Sequence, residues 1–134
     1  QRGLAIFDRN SEALIGECDL PGEAQKVKLV GNYAYLACRQ SGLQIVNVTN
    51  PAAPVKVGSY DTSGYATNLD IWNNYLVMSS GGGGIYLFDI TNPINPVLKD
   101  NITSCGYVNN VKFYDGKVLV AGRDQGLLIY NLVP

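Results

Sequence analysis

The residues able to do chemistry in this 134-residue sequence are few, and one type is missing: there is no histidine. Without imidazole there is no Ser-His-Asp arrangement, no ordinary general base near neutral pH and no His-ligated zinc. The three cysteines, Cys18, Cys38 and Cys105, are widely spaced with no Cys-x-x-Cys pair. They read as ordinary small or buried thiols, with at most one internal disulfide among them. Asp19 and Asp61 match each other in the repeat set out below, which separates them by a whole unit. A glycosidase holds its two carboxyls about 5–10 Å apart, so turn capping is the better account of this pair. No catalytic residue, metal site or cofactor is expected.

Binding chemistry remains. Arg39 and Arg123 stand at equivalent points of one recurring loop, with Asp124 beside the second. An arginine-lined rim suits a carboxylate or an acidic sugar, and solvated hairpin charges are the plainer reading. The loop between them is Gly81-Gly82-Gly83, which lacks the Gly-Lys-Ser/Thr of a phosphate loop and reads as a flexible turn. Asn68, Asn109 and Asn110, beside Thr67 and Gln25, open equivalent strands. Amides there suit waters, an ion or a sugar, or turn-type hydrogen bonds at a strand start. Tyr65 and Tyr107 just precede those strands, where the first unit has Glu23. They suit either packing between units or stacking on carbohydrate. Trp72 reads as hairpin packing.

These residues sit on an internal repeat. Gly3-Leu-Ala-Ile-Phe-Asp8 recurs as Gly42-Leu-Gln-Ile-Val-Asn47, Gly84-Ile-Tyr-Leu-Phe-Asp89 and Gly126-Leu-Leu-Ile-Tyr-Asn131, at spacings of 39, 42 and 42 residues. Ala24, Ala66 and Val108 keep the same step, so the shortfall in the first copy lies between Asp8 and Gly16. Each unit reads as four short strands. In the first, Val27 and Leu29 alternate with Lys26 and Lys28, as period-2 burial requires. Gly31-Asn32, Asn73-Asn74 and Asp115-Gly116 then supply two-residue hairpins, for which such pairs favour positive φ. The second strand is Tyr33–Cys38, the third Leu43–Val48 and the fourth runs from about Pro54 to Tyr60. Thr49-Asn50-Pro51 and Thr91-Asn92-Pro93 separate third from fourth, because proline has no N–H for the ladder and disfavours helix before it. No window has a helical period. The class is all-β.

A four-stranded unit of this length matches a β-propeller blade. Counted from its glycine, the unit gives segments of approximately 3–41, 42–83 and 84–125 in a single repeat domain, with an extra strand over 126–134. Propellers close with about 4–8 blades, so three units make an incomplete ring. Further blades are expected from a larger protein or from another copy, and two chains of three blades would make a six-bladed ring. The sequence begins and ends on the third strand of a unit, one such strand more than three units need. A surplus strand could pair with a neighbour's edge.

Gly42-Leu-x-Ile-Val-Asn-Val-Thr-Asn-Pro51-x-x-Pro54 and Gly84-Ile-x-Leu-Phe-Asp-Ile-Thr-Asn-Pro93-x-x-Pro96 resemble the LVIVD repeat, and Tyr33-Ala-Tyr-Leu-Ala37 fits that family's second strand. The first copy departs from it, with Arg9-Asn10-Ser11 in place of the Asn-Pro turn. The resemblance implies a propeller fold and an extracellular or cell-surface address, and it carries over no catalytic residue.

Ten Lys plus Arg against eleven Asp plus Glu, with no block of like charge, show no basic face for nucleic acid. No run approaches the ~18 apolar residues of a membrane span. The sequence opens on Gln1 and has no signal peptide, so it is expected to be a mature, trimmed or excised segment. Asn47-Val-Thr49 and Asn101-Ile-Thr103 are glycosylation sequons, although Asn47 shares its place with Asp8, Asp89 and Asn131, which points to a structural role. The expected function is a non-catalytic surface module for protein interaction or assembly. The alternatives are a carbohydrate- or ligand-binding propeller using Arg39, Arg123, Asp124, Asn68, Asn110, Tyr65 and Tyr107, and part of an enzyme whose site needs further blades.

Overall fold

A computed structural model describes residues 3–132, and every regular element among them is a β-strand. β1 (Gly3–Phe7) and β2 (Leu14–Asp19) form a two-stranded sheet. β3 (Lys26–Val30), β4 (Tyr33–Ala37), β5 (Leu43–Asn47) and β6 (Val55–Tyr60) form a four-stranded meander. β7 (Asn68–Trp72), β8 (Tyr75–Ser79), β9 (Ile85–Asp89) and β10 (Val97–Ile102) repeat it. A three-stranded sheet of β11 (Val108–Tyr114), β12 (Lys117–Gly122) and β13 (Gly126–Asn131) follows. This is a β-propeller architecture, open, with two complete blades flanked by a half-blade and a three-stranded blade. The extra strand expected over 126–134 is β13, and its last two positions lie outside the described residues. Units counted from Gly42 or Gly84 each draw strands from two successive sheets, because hydrogen bonding groups the chain from first strand to fourth. No helix long and apolar enough to cross a membrane occurs among the described residues.

The copies agree in register as well as in order. Leu4 pairs with Cys18, Leu43 with Tyr60 and Ile85 with Ile102. A bulge follows at the same place in each, at Ile6/Phe7, Ile45/Val46 and Leu98/Asp100. The turn after the third strand is built alike in each copy. Asp8 Oδ1 accepts the Asn10 and Ser11 N–H groups, Asn47 Oδ1 those of Thr49 N–H and Oγ1, and Asp89 Oδ1 those of Thr91. Asn47 therefore works as a turn former. The hairpins differ where the sequence treats them as equivalent. Asp115 and Gly116 both have positive φ, the mark of a type I′ turn, whereas Gly31 and Asn73 do so at the first central position only.

Each sheet is apolar on both faces, and the core lies between sheets. Along β4, Ala34 and Leu36 pack toward the half-blade while Tyr35 and Ala37 join Leu43, Ile45, Leu69, Leu76, Met78 and Phe88 on the other side. Along β8, Val77 faces onward to meet Ile85, Val108, Val111, Phe113 and Val120. The central strands therefore read as continuous apolar runs.

Outer strands meet the next blade's Asn-Pro turn through a glycine. A Cβ on Gly16 would lie 2.1 Å from the Pro51 carbonyl oxygen, and one on Gly58 would lie 2.9 Å from that of Ile94. Only hydrogen fits there. Gly58→Ala should cost about 1–3 kcal/mol in urea denaturation, because backbone rather than a flexible side chain must move. Gly82→Ala, whose Cβ would find only Tyr107 Cδ2 at 3.9 Å, should change stability by less than about 0.5 kcal/mol.

Candidate functional site

The innermost strands β3, β7 and β11 carry two kinds of residue in alternation. Leu69 and Val111 turn back into the core shared with the preceding blade. Lys28, Asn68 and Asp70 reach forward to the next inner strand, and each pairing spans about one repeat. The Lys28 ammonium lies 3.1 Å from Asp70 Oδ1, 42 residues away. The Asn68 amide donates to Asn110 Oδ1, again 42 residues on. Asp70 Oδ2 accepts the Phe113 N–H at 2.8 Å, and Oδ1 also accepts the Ile71 N–H at 2.9 Å. Burial pushes the Asp70 carboxyl up, but the Phe113 N–H, Lys28 and Ile71 N–H together outweigh it and hold it below its ordinary 3.8.

Beside this ladder opens a cavity of about 160 Å³, lined by Lys26, Lys28, Asn68, Leu69, Asp70, Asn110, Val111 and Lys112. Positions 26, 68 and 110 form one tier of the repeat, and 28, 70 and 112 form the next, about 6.6–6.8 Å along the strands. The sequence marks Asn68 and Asn110 as candidates, and the structure joins them. It adds Lys26, Lys28, Asp70 and Lys112. Their shared 42-residue step was the available signal, hidden because lysines alternating with Val27 and Leu29 look like the solvated face of a strand.

The rim above the cavity is built by the loops after the second strands. Arg39 and Gly81 both adopt positive φ, and their backbones bridge to the next blade at Ala66 and Val108. Glycine suits this left-handed geometry, while arginine adopts it at a strain of about 1 kcal/mol or more. The Arg39 guanidinium stacks over Tyr65 with 5.1 Å to the ring centroid, and its Nε lies 3.5 Å from Glu23 Oε1. Arg123 stacks over Tyr107 at 4.0 Å. The far edge of the Tyr107 ring rests on Gly81, where a Cβ would come within 3.0 Å of it. Asp124 is exposed in the same loop as Arg123 and takes no part in these contacts. Trp72 tilts against Phe113 at 6.3 Å, close to its hairpin. Asp19 and Asp61 lie at the ends of outer strands, one on the half-blade and one on the first full blade.

All three cysteines are free. Burial pushes the Cys38 thiol up to about 11, which leaves it protonated and inert at neutral pH. Asn101, the second sequon residue, donates from its amide to the Gly83 and Ile85 carbonyl oxygens at 3.1 and 3.0 Å. Its nitrogen is thereby tied into the fold. Among the described residues no group of His, Cys, Asp or Glu is placed to hold a metal ion.

The LVIVD repeat model matches residues 21–62 and 63–104, more than half of the chain, and each match encloses one complete blade. No curated protein matches the chain in sequence. Among solved structures it is similar to the computationally designed Ika4 protein, with a TM-score of 0.82 and 15% identity over 98% of this chain and 81% of that one. The computationally designed Ika8 protein gives 0.76 at 15% identity over 98% of this chain and 40% of its own. Human WBSCR16 gives 0.57 at 11% identity over 96% and 39%. The chain thus spans less than half the length of the last two. At these identities the likeness is one of fold.

Three outcomes follow from this geometry. Asp70→Ala leaves the Phe113 N–H without a partner and should destabilise by about 1–3 kcal/mol in urea titration. Because the folded-state pKa of Asp70 is lowered, its contribution is complete above the unfolded pKa near 3.8 and is lost as pH falls through the folded value. Asp70→Asn should flatten that acid limb of the stability profile. A thiol reagent applied to the native protein should modify the partly exposed Cys18 first, with Cys38 and Cys105 reacting only on unfolding.

Proposed function

This chain belongs to the LVIVD-repeat family, and on that premise we propose that it is a non-catalytic assembly module. It docks face to face with further blades of its own repeat and completes a propeller on the outside of the cell. The observation that carries the reading is the changing exposure of one repeated position. Leu43 is 0% exposed where it meets the second full blade and Ile85 is 3% exposed where it meets the third, but their equivalent Leu127 is 64% exposed. The opposite face shows the reverse order. Leu69 and Val111 are 2% and 3% exposed, and their equivalent Val27 is 49% exposed. Ile129 and Leu29 extend the two patches.

The two faces match as halves of one interface, with the outer part of the Val27 face already covered by the half-blade. Leu43 and Ile45 already pack with Leu69 inside the chain. Leu127 and Ile129 hold the first pair's places and Val27 the second's, so blade chemistry selects another blade as the occupant. Leu4 of the half-blade already packs beside Val27 at the position equivalent to Leu127, so an incoming β13 takes the place of β1. Its source is a second copy or a longer protein containing this segment. The contact is heterologous, so successive dockings turn in one sense and close a ring when the rotation per blade divides a full turn.

The surface address rests on the family resemblance, and the non-catalytic character on the absence of histidine and on three of the eleven carboxylates. Asp8, Asp70 and Asp89 are all occupied in accepting backbone N–H groups. Carbohydrate stacking is the weaker reading, because guanidinium groups already lie over Tyr65 and Tyr107.

Light scattering on the purified chain tests the proposal. A discrete oligomer that Leu127→Lys and Ile129→Lys convert to monomer is the expected result for copies. A concentration-dependent, dye-binding monomer that becomes ordered only when flanking blades are supplied assigns the partner to a longer chain. A soluble, well-folded monomer indifferent to Leu127→Lys sinks the assembly reading.

A further inference from the structure

We infer that the cavity on the inner strands is an oxyanion site, taking a small phosphate or a carboxylate between Lys26 and Lys112. The inference does not depend on ring closure.

Charge balance is the first ground. The whole chain carries ten cationic and eleven acidic side chains for a net charge of −1. The cavity reverses that balance, with Lys26, Lys28 and Lys112 on its walls and Asp70 as the only acid. Asp70 is already spent: its oxygens accept from Lys28, Ile71 and Phe113. Lys28 and Asp70 cancel. Lys26 and Lys112 are left with no ion pair or hydrogen bond among the described residues. Two unneutralised ammonium groups at the mouth of one polar cleft repel each other and focus a positive potential into it.

The second ground is directional. Asn110 Oδ1 accepts from Asn68, which orients the Asn110 amide and leaves both of its N–H groups free to donate. Asn68 Oδ1 is likewise taken, by the Leu69 N–H. The tier therefore presents free amide N–H groups beside the two lysines, which suits an anion. At about 160 Å³ the cavity has the room of about five waters, enough for one small oxyanion and part of its hydration shell.

The experiment is amide-resolved NMR of the intact chain, titrated separately with inorganic phosphate, succinate and chloride at constant ionic strength. Phosphate or succinate should give saturable shifts at the Asn68 and Asn110 side chains and at the Val111 N–H. Chloride at matched ionic strength should not. Whichever oxyanion saturates at lower concentration identifies phosphate or carboxylate as the favoured group. Lys26→Gln and Lys112→Gln should each weaken binding about tenfold or more. Lys56→Gln, on an outer strand away from the cavity, should leave it unchanged. Both cavity lysines are exposed, so these variants keep the fold, and each variant's own spectrum verifies that. Shifts that stay linear in oxyanion concentration, or that match chloride's, overturn the inference. So does saturable binding that survives both cavity substitutions.

Discussion

A sheet that is apolar on both faces cannot bury itself, and that constraint organises this protein from end to end. β4 and β8 send alternate side chains to opposite neighbours, so each blade contributes half of two separate cores. Removing a neighbour would expose about a whole face at once, at roughly 25 cal/mol per Å² of apolar area. Stability in such an array is a sum of nearest-neighbour interfaces. The two inner interfaces are complete, the half-blade covers the Val27 face in part, and the Leu127 face is open.

The polar contacts are subordinate to that packing, and they fix its register. Apolar faces slide past one another at little cost, whereas the Asp70 carboxylate must meet both the Lys28 ammonium and one particular backbone N–H on β11. The Arg39 and Gly81 backbones pin the rim in the same way, by bridging to Ala66 and Val108. Inner strands lie nearest the axis, where successive blades come closest and a short side chain spans the gap. The glycines at 16 and 58 do the corresponding work at the outer edge, by letting the next blade's turn close against them.

Most of the fold is legible in the sequence because the repeat is written in residues with strong local meaning. The Gly-Leu-x-Ile strand, the Asn-Pro turn and the paired hairpin residues each have a backbone reason to recur, and the structure returns all of them in register. The site is less legible. Asn68 and Asn110 stand out because both are amides at one repeat position. Lys28, Asp70 and Lys112 share another position, but they differ in sign, and their function lies in contacts between sheets. Two of the three hydrogen bonds to Asp70 come from backbone N–H groups, which any sequence supplies. The rim pairs hide for a related reason. Arg39 stacks on the next blade's tyrosine and Arg123 on its own, so the same loop position makes two different contacts.

The docking faces and the oxyanion cavity constrain each other. Inside the chain, Lys28 of one blade meets Asp70 of the next, and opposite charges stabilise the step. If a second copy docks so that its β3 follows β11, the forward-reaching position is Lys112 and its new neighbour is Lys28. Burial of Leu127 against Val27 would then bring two ammonium groups to the separation where the chain elsewhere places a salt bridge. Two free ammonium groups at about 4 Å and an effective dielectric constant near 20 would repel by roughly 4 kcal/mol. Each Lys28 is paired with its own Asp70 at 3.1 Å, however, which offsets much of that. The oxyanion inferred between Lys26 and Lys112 would neutralise Lys112 from within its own chain. A ring of copies, were it to form, would gain from an anion that neutralises Lys112 at each junction. A neighbouring blade from a longer protein, with its own acid at the Asp70 position, would not need one.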